Sequence, residues 1–344
     1  MKIIQFLNNT GAHMGGVEQC AINYSRSFPN NNKNVIHTII PNQNVSYKDH
    51  ICGNIHELDI KNKFSLFASL FRIVKTHKPD FFILHTSRGL RILKYLSKIY
   101  KFKIIGVNHG FNLKKFVKHS DIIFCINKNQ ITESEKLVKN SKIQIIYFPN
   151  VTDVNQKLDV KNFSSPPIIG TLSRIDFKYK NLDKIVLAAQ ILKERNIKFM
   201  FKIGGDYGEI DRLKTMVNES QLNNYFVFKG LISDKTSFFN EIDIFCMPSN
   251  EETFGLSYIE SMTNSVPCIA TNTNGANDIF EDNVTGFIIS KDDPEQIPVL
   301  LADKIEYILS NQDLCKQIAT NAYTFVNDNF SLNSMYQRFL SINE

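Results

Sequence analysis

Short, nearly unbroken apolar runs alternate with amphipathic stretches along all 344 residues, and this rhythm constrains the fold more than any other property of the chain. KIIQFL, VIHTII, FFILH, KIIGVNH, DIIFCIN and IQIIYF read as strands in the first 150 residues. Strands apolar on both faces belong in a parallel sheet that helices cover on both sides. Helix-period segments stand between most of them, VEQCAINYSRSF and FSLFASLFRIVKTHK among them. The polar stretch FPNVTDVNQKLDVKNFSSPP then interrupts the pattern. It restarts as PIIGTLS, KFMFKIGGD, YFVFKG, IDIFCMPS, VPCIAT and GFIIS. Near the end, DDPEQIPVLLADKIEYIL predicts a helix with Asp293 as N-cap and Pro294 at its first position.

Repeated βα units predict doubly wound α/β sheets. The expected organisation is a Rossmann-like domain over 1–152, a linker over 153–166 and a second Rossmann-like domain over 167–329, the two facing a central cleft. A C-terminal helix at about 330–344 is expected to cross back onto the first domain.

No segment approaches the roughly 18 apolar residues of a membrane span, and IIQFL is too short for the core of a signal peptide. The six cysteines show no paired spacing, and most lie in apolar runs, which points to buried free thiols in a reducing, cytoplasmic compartment. The net charge of +6 hides a division. Up to Asn150 there are 22 Lys and Arg against 8 Asp and Glu, and after it 18 against 26. A basic half suggests an anionic partner.

Part of that charge lies in Arg88, Arg91, Lys94, Lys98, Lys101 and Lys103, followed by Lys114, Lys115 and Lys118. Leu90, Leu93, Leu96 and Ile99 recur at helical spacing beside Tyr95 and Tyr100. Two readings stand. The segment lays an apolar face on an anionic membrane surface, the inner face of the cytoplasmic membrane, or the leucines pack against the sheet and the cations face water.

Ligands of doubly wound sheets bind where strands end and loops enter helices. NNTGAHMGGVEQ follows the first strand, with Gly11, Gly15 and Gly16 allowing close backbone approach. It is not GxGxxG, and the second strand ends in IIPNQ without the acidic residue that binds a dinucleotide ribose, so hydride transfer is disfavoured. TLSRIDFKYKNLD offers Arg174, Lys178 and Lys180 after the first strand of the second domain. PSNEETFGLSYIES holds Glu252 and Glu260 around a helix that begins near Gly255. With 15 Glu in the chain, about 0.6 pairs at this spacing arise by chance, so context must carry the assignment. A helix N-terminus suits phosphate. Carboxylates beside it suit hydroxyls on both sides of a diphosphate, and Arg174 and Lys180 would clamp the anion itself.

The order GTLSRIDFKYKNLDKIVLAAQIL, KIGGDYGEIDRL, FKGLIS, DIFCMPSNEETFGLSYIESM, VPCIATNTNGANDI, VTGFII resembles the retaining GT-B glycosyltransferases of family 4. The likeness is strong over about 165–290 and extends more weakly to NNTGAHMGGVEQ, VNHGF and YFPNVTD. It implies sugar transfer from a UDP- or GDP-linked nucleotide-sugar donor to a saccharide or lipid-linked saccharide, in polysaccharide or lipopolysaccharide biosynthesis. By position, Glu252 would contact the donor sugar and Glu260 the ribose. Arg174 and Lys180 would hold the diphosphate, helped by the backbone of Phe254, Gly255 and Leu256. Gly15 and Gly16 would approach it from the first domain, and His109 would sit beside the sugar.

No cofactor is expected. No D-x-D cluster stands at a strand end, so no metal is expected either, and nucleic acid is not an expected partner. Three departures from the family pattern stand out. One extra residue between Arg174 and Lys180 makes Lys178 a competing clamp, Asn274-Gly275 replaces a Gly-Gly pair with Asp278 as its acid, and Ser265 replaces a glycine. A sugar-nucleotide epimerase of the same fold, and a non-catalytic polyanion- or membrane-binding protein, are the alternative readings.

Overall fold

The computed structural model describes residues 2–8, 15–28, 35–40, 52, 54–58, 62–110, 117–138, 142–154 and 157–343. The chain divides into two compact units, Met1–Asp153 with Ser331–Glu344, and Val154–Phe330.

The first unit is a seven-stranded parallel sheet built from β1 (Ile3–Asn8), β2 (Val35–Ile40), β3 (Asn54–Glu57), β4 (Phe81–Leu84), β5 (Lys103–Asn108), β6 (Ile122–Cys125) and β7 (Gln144–Tyr147). Its helices are α1 (Gly16–Ser27), α2 (Lys63–His77), α3 (Leu90–Tyr100) and α4 (Lys128–Leu137). Six of the strands coincide with the apolar runs, and every residue of β4 and β6 is buried, as continuous hydrophobicity requires. The short β3, Asn-Ile-His-Glu, carries no apolar run and was not anticipated. Asn62 caps α2 by accepting the N–H groups of Phe64 and Ser65, both at 2.9 Å.

The strand order is β3-β2-β1-β4-β5-β6-β7. Successive strands therefore step one way from β1 and the other way from β4, and the crevice opened at such a reversal is where ligands of these sheets lie.

In α3, Leu90, Leu93 and Leu96 are buried and join Ile4, Phe6, Phe82, Leu84 and Ile104 in the core. The lipid-facing reading of these leucines is corrected by that packing. Leu residues three apart form one stripe, and a helix on a parallel sheet must turn its apolar stripe to the sheet. The outer face of α3 consists of Arg91, Lys94, Tyr95, Lys98 and Ile99, with Lys101 just beyond. Lys114 and Lys115 lie outside the described residues.

The second unit holds a six-stranded parallel sheet of β8 (Ile168–Leu172), β9 (Met200–Gly204), β10 (Phe226–Gly230), β11 (Ile244–Met247), β12 (Cys268–Thr271) and β13 (Phe287–Ile289), in the order β10-β9-β8-β11-β12-β13. The same reversal falls here between β8 and β11. The helices are α5 (Phe177–Lys180), α6 (Leu182–Glu194), α7 (Ile210–Glu219), α8 (Lys235–Asn240), α9 (Leu256–Thr263), α10 (Asn274–Ile279), α11 (Ile297–Ser310) and α12 (Gln312–Phe330). The core gathers Ile169, Val186, Ala189, Phe201, Ile203, Ile244, Leu301 and Ile305, all at most 1% exposed.

α11 starts three residues later than expected. The Asp293 carboxylate accepts the Glu295 N–H at 3.0 Å in a turn that precedes the helix. Pro298 is the reason: it fits the first turn of a helix from Ile297, but a helix from Pro294 would lose an internal hydrogen bond to it.

Lys161 donates to the Asn240 carbonyl at 2.6 Å and Ser164 to Asp243 at 3.2 Å, so the polar stretch before β8 lies along the second unit. α13 (Leu332–Leu340) belongs to the first unit, where Phe339 packs edge-on against Phe28 and Phe81 at 5.3 and 5.6 Å. All six cysteines are free, and all but the half-buried Cys52 are buried. No helix among the described residues is long and apolar enough to cross a membrane.

Candidate active site

The loops that leave β8 and β11 meet beside the reversal of the second sheet. Asp176 caps α5 by accepting the Tyr179 N–H at 2.8 Å. One helical turn later the Tyr179 carbonyl accepts the Asn250 N–H at 2.9 Å, which ties the two loops backbone to backbone. Lys180 reaches across this junction and forms an ion pair with Glu252. Their side chains are 19% and 15% exposed, so the pair is largely withdrawn from water. Lys178 is exposed and lies over the Tyr179 ring at 5.0 Å. Two residues span about 200° of helix, so only one of these lysines can face Glu252.

The turn from Glu252 into α9 rests on two glycines. Gly255 sits at φ +97° at the N-cap, and a Cβ there would come within 2.2 Å of the Tyr258 ring. That ring is buried, its hydroxyl donates to the Met247 carbonyl at 3.2 Å, and burial aided by the charge of Glu252 pushes the phenol well up. Gly275, in the first turn of α10, donates its N–H to the Glu252 carbonyl at 3.0 Å. A Cβ at Gly275 would stand 2.4 Å from the Phe254 carbonyl oxygen. The glycine kept in the Asn274-Gly275 pair is therefore the one on which two backbones touch.

The first turn of α9 presents the N–H groups of Leu256 and Ser257, which an α-helix leaves without internal acceptors. A helix start of this kind, with its dipole, is suited to an anion. Phe254 supplies backbone there. Its own ring is 2% exposed and packs edge-on against Phe330 at 5.5 Å.

One turn into α9, Glu260 is 9% exposed and takes an ion pair from Lys235, Nζ to Oε1 at 2.5 Å. Lys235 opens α8, after β10, and nothing local in the sequence marked it. Arg174 is half exposed and held by Asp176 at 2.6 Å. Glu209, also unanticipated, accepts the Phe177 N–H at 2.8 Å and a bond from Arg212 at 2.7 Å, and those two bonds hold its carboxyl below the usual range. The loop after β9 thus braces the start of α5. Its Ile175–Gly208 bridge ties it to the loop after β8.

In the first unit, Gly15 and Gly16 are exposed at the start of α1, and the Gly15 N–H donates to Glu18 at 2.9 Å. His109 follows β5, half-buried, with its Nε2 2.8 Å from Nδ1 of His85. Gly11 lies outside the described residues. The structure thus brings Lys180, Glu252, Phe254, Gly255 and Leu256 together on two joined loops. It sets Glu260 on the same helix as Leu256, and adds Lys235.

The model of the family described as glycosyl transferases group 1 matches residues 154–325, half of the chain. A Staphylococcus aureus capsular polysaccharide biosynthesis glycosyltransferase, CapM, is 27% identical, with 84% of this chain and 86% of that protein covered. A solved glycosyltransferase from Rickettsia africae is similar at TM-score 0.80 and 24% identity, covering 99% of this chain and 97% of that one. Anabaena HepE, solved with UDP and glucose, is similar at TM-score 0.78 and 16% identity over 100% of this chain and 99% of that one.

Proposed function

Because this chain belongs to the glycosyl transferases group 1 and has the GT-B fold, we propose that it carries a sugar from a nucleotide-sugar donor to a saccharide or lipid-linked saccharide of the cell envelope, with retention of anomeric configuration and without a metal. The observation that carries the reading is the pair of lysine-neutralised carboxylates, Lys180–Glu252 and Lys235–Glu260, flanking the N-terminus of α9. A carboxylate held by a lysine still offers lone pairs to hydroxyl donors. Glu252 is assigned to the donor sugar and Glu260 to the ribose. The α9 N–H groups, Lys180 and Arg174 are assigned to the diphosphate, whose charge grows as the sugar departs. On motif order alone, His109 is assigned to the donor sugar, and Gly15 and Gly16 to the diphosphate.

In this reading the acceptor oxygen attacks the anomeric carbon from the face the phosphate leaves. The new C–O bond forms as the sugar–phosphate bond breaks, and the acceptor's proton passes to the departing phosphate oxygen. The protein supplies no nucleophile. It supplies cations, oriented N–H groups and exclusion of water.

The naming of CapM for capsular polysaccharide biosynthesis supports an envelope saccharide as acceptor. The cationic outer face of α3, with Tyr95 59% and Ile99 54% exposed, supports docking on an anionic membrane from which a lipid-linked acceptor is drawn.

Incubation with UDP-glucose, UDP-N-acetylglucosamine, UDP-galactose and GDP-mannose tests the donor class, with slow release of UDP or GDP as the expected result. That release persists in EDTA. Absence of release from every donor, or a requirement for added magnesium or manganese, contradicts the reading.

A further inference from the structure

Every residue of α9 from Tyr258 to Thr263 is buried, and Glu260 is the only acid in that run. A carboxylate in such a place needs a partner, because burying one alone is costly. Lys235 provides it from a more open position. Its Nζ lies 2.5 Å from Oε1, and its side chain is 40% exposed against 11% for Glu260. The pairing occupies one oxygen only. Oε2 takes no hydrogen bond among the described residues and is not sealed from solvent, so a ligand hydroxyl can reach it.

Both ends of the pair are fixed at the backbone. The Glu260 carbonyl accepts from the side chains of Thr263 and Asn264 at 2.8 and 2.7 Å, and the Ser257 hydroxyl ties the first turn of α9 to the Leu172 carbonyl at 3.1 Å. On the other side, Asp234 caps α8 by accepting the Ser237 N–H at 3.0 Å, and Phe238 and Phe239 anchor that helix in the core. What stays soft is the carboxylate, since the last torsion of a glutamate is broad and two-fold. A lysine on Oε1 settles that torsion.

Leu256, at the start of α9, precedes Glu260 by four residues, about 6 Å along the helix axis. That is comparable to the reach from a phosphate to the hydroxyls of the ribose it esterifies. An acceptor fixed there discriminates, because a nucleotide that lacks a hydroxyl leaves it without its hydrogen bond.

We propose that Lys235 is a positioning residue that sets a preference for ribonucleotides: by holding Oε1 it turns Oε2 of Glu260 to the ribose hydroxyls. This role deepens the reading above and rests on its assignment of Glu260 to the ribose.

Calorimetric titration with UDP, 2′-deoxy-UDP, GDP and 2′-deoxy-GDP measures the preference without turnover. For the base that binds, the wild type should hold the ribonucleotide about 10- to 100-fold more tightly than its deoxy form. Lys235→Met keeps the apolar stem and removes the charge. It should weaken the ribonucleotide about 10-fold and leave the deoxy form nearly unchanged. Lys235→Arg, which can still hold Oε1, should keep most of the preference. In a Glu260→Gln background, Lys235→Met should change the preference no further, because the lysine acts through that carboxylate. Lys235→Gln gives the same reading if Lys235→Met fails to fold.

A preference unchanged in Lys235→Met would overturn the positioning role and leave Lys235 a structural partner of Glu260. Equal weakening of both forms would also overturn it, since Lys235 would then touch the diphosphate or the base directly. A wild type that binds both forms alike would remove the ribose assignment and this role with it, while nucleotide release still decides sugar transfer. A wild type that binds none of the four and releases none from nucleotide sugars would overturn the donor reading itself.

Discussion

The two sheets reverse direction in the same manner, between β1 and β4 in one unit and between β8 and β11 in the other, yet opposite chemistry gathers at the two reversals. At the second, ionised groups meet: Lys180 with Glu252, Arg174 with Asp176, and Lys235 with Glu260 nearby on α9. At the first, Gln5, His85 and His109 form a hydrogen-bonded chain of groups that need carry no charge. The contrast shows how one architecture sorts work. Fixed charges and a helix dipole suit an anion such as a diphosphate, because each strengthens as water is excluded. Amide and imidazole groups suit hydroxyls, which need direction more than field.

The largest expected effect lies at the charged reversal. Glu252→Ala and Lys180→Ala should each lower donor turnover by about 10²- to 10³-fold, the loss typical of one electrostatic group at a reacting centre. Circular dichroism should keep the wild-type shape, while the melting temperature should fall, because each truncation leaves a largely buried charge without its partner. Wild-type turnover in either variant would break the contrast, because the charges would then be structural only.

Glu260→Ala should combine two losses. Turnover should fall strongly, and removal of a carboxylate that is 11% exposed in its side chain should also cost stability. Lys235 is 40% exposed and can turn to water, so about 1–2 kcal/mol is expected rather than the 3–5 of a fully buried pair. Denaturant midpoints read this directly, and an unchanged midpoint would show that Lys235 is easily rehydrated.

Arg174→Ala should weaken turnover by about 10- to 100-fold, the worth of one or two charge-assisted hydrogen bonds. Lys178→Ala should be near neutral. The reverse ranking would mean that α5 rotates when the donor binds.

The smallest effect concerns the outer face of α3. Binding to vesicles containing anionic lipid should weaken with salt and fall when Lys94, Lys98 and Lys101 are neutralised, each contributing about 1 kcal/mol. Co-sedimentation measures it, and equal binding to neutral and anionic vesicles would leave a soluble acceptor as the better account.

Much of this was legible without coordinates. Among the described residues, twelve of the 13 strands coincide with apolar runs, and only Asn54–Glu57, whose polar residues carry no such run, escaped. The turn into α9 was legible too, since Gly255 before an apolar helix is a local signal. The leucines of α3 were ambiguous because a stripe marks one face without naming what covers it. The late start of α11 was readable in principle from Pro298 and was passed over for the nearer Pro294.

By itself, then, the sequence determined the alternation of strands and helices and the loops that carry Glu252 and Arg174, because each of these rests on interactions within a few residues. Only the tertiary structure decided which partners those groups have. Lys180 rather than Lys178 meets Glu252, 72 residues away, because the turn of α5 faces the junction once β8 and β11 lie side by side. Lys235 finds Glu260 across 25 residues. His85 finds Gln5 across 80 because β4 pairs with β1. Strand order sets these meetings, and strand order comes from how crossovers pack, which no local pattern records.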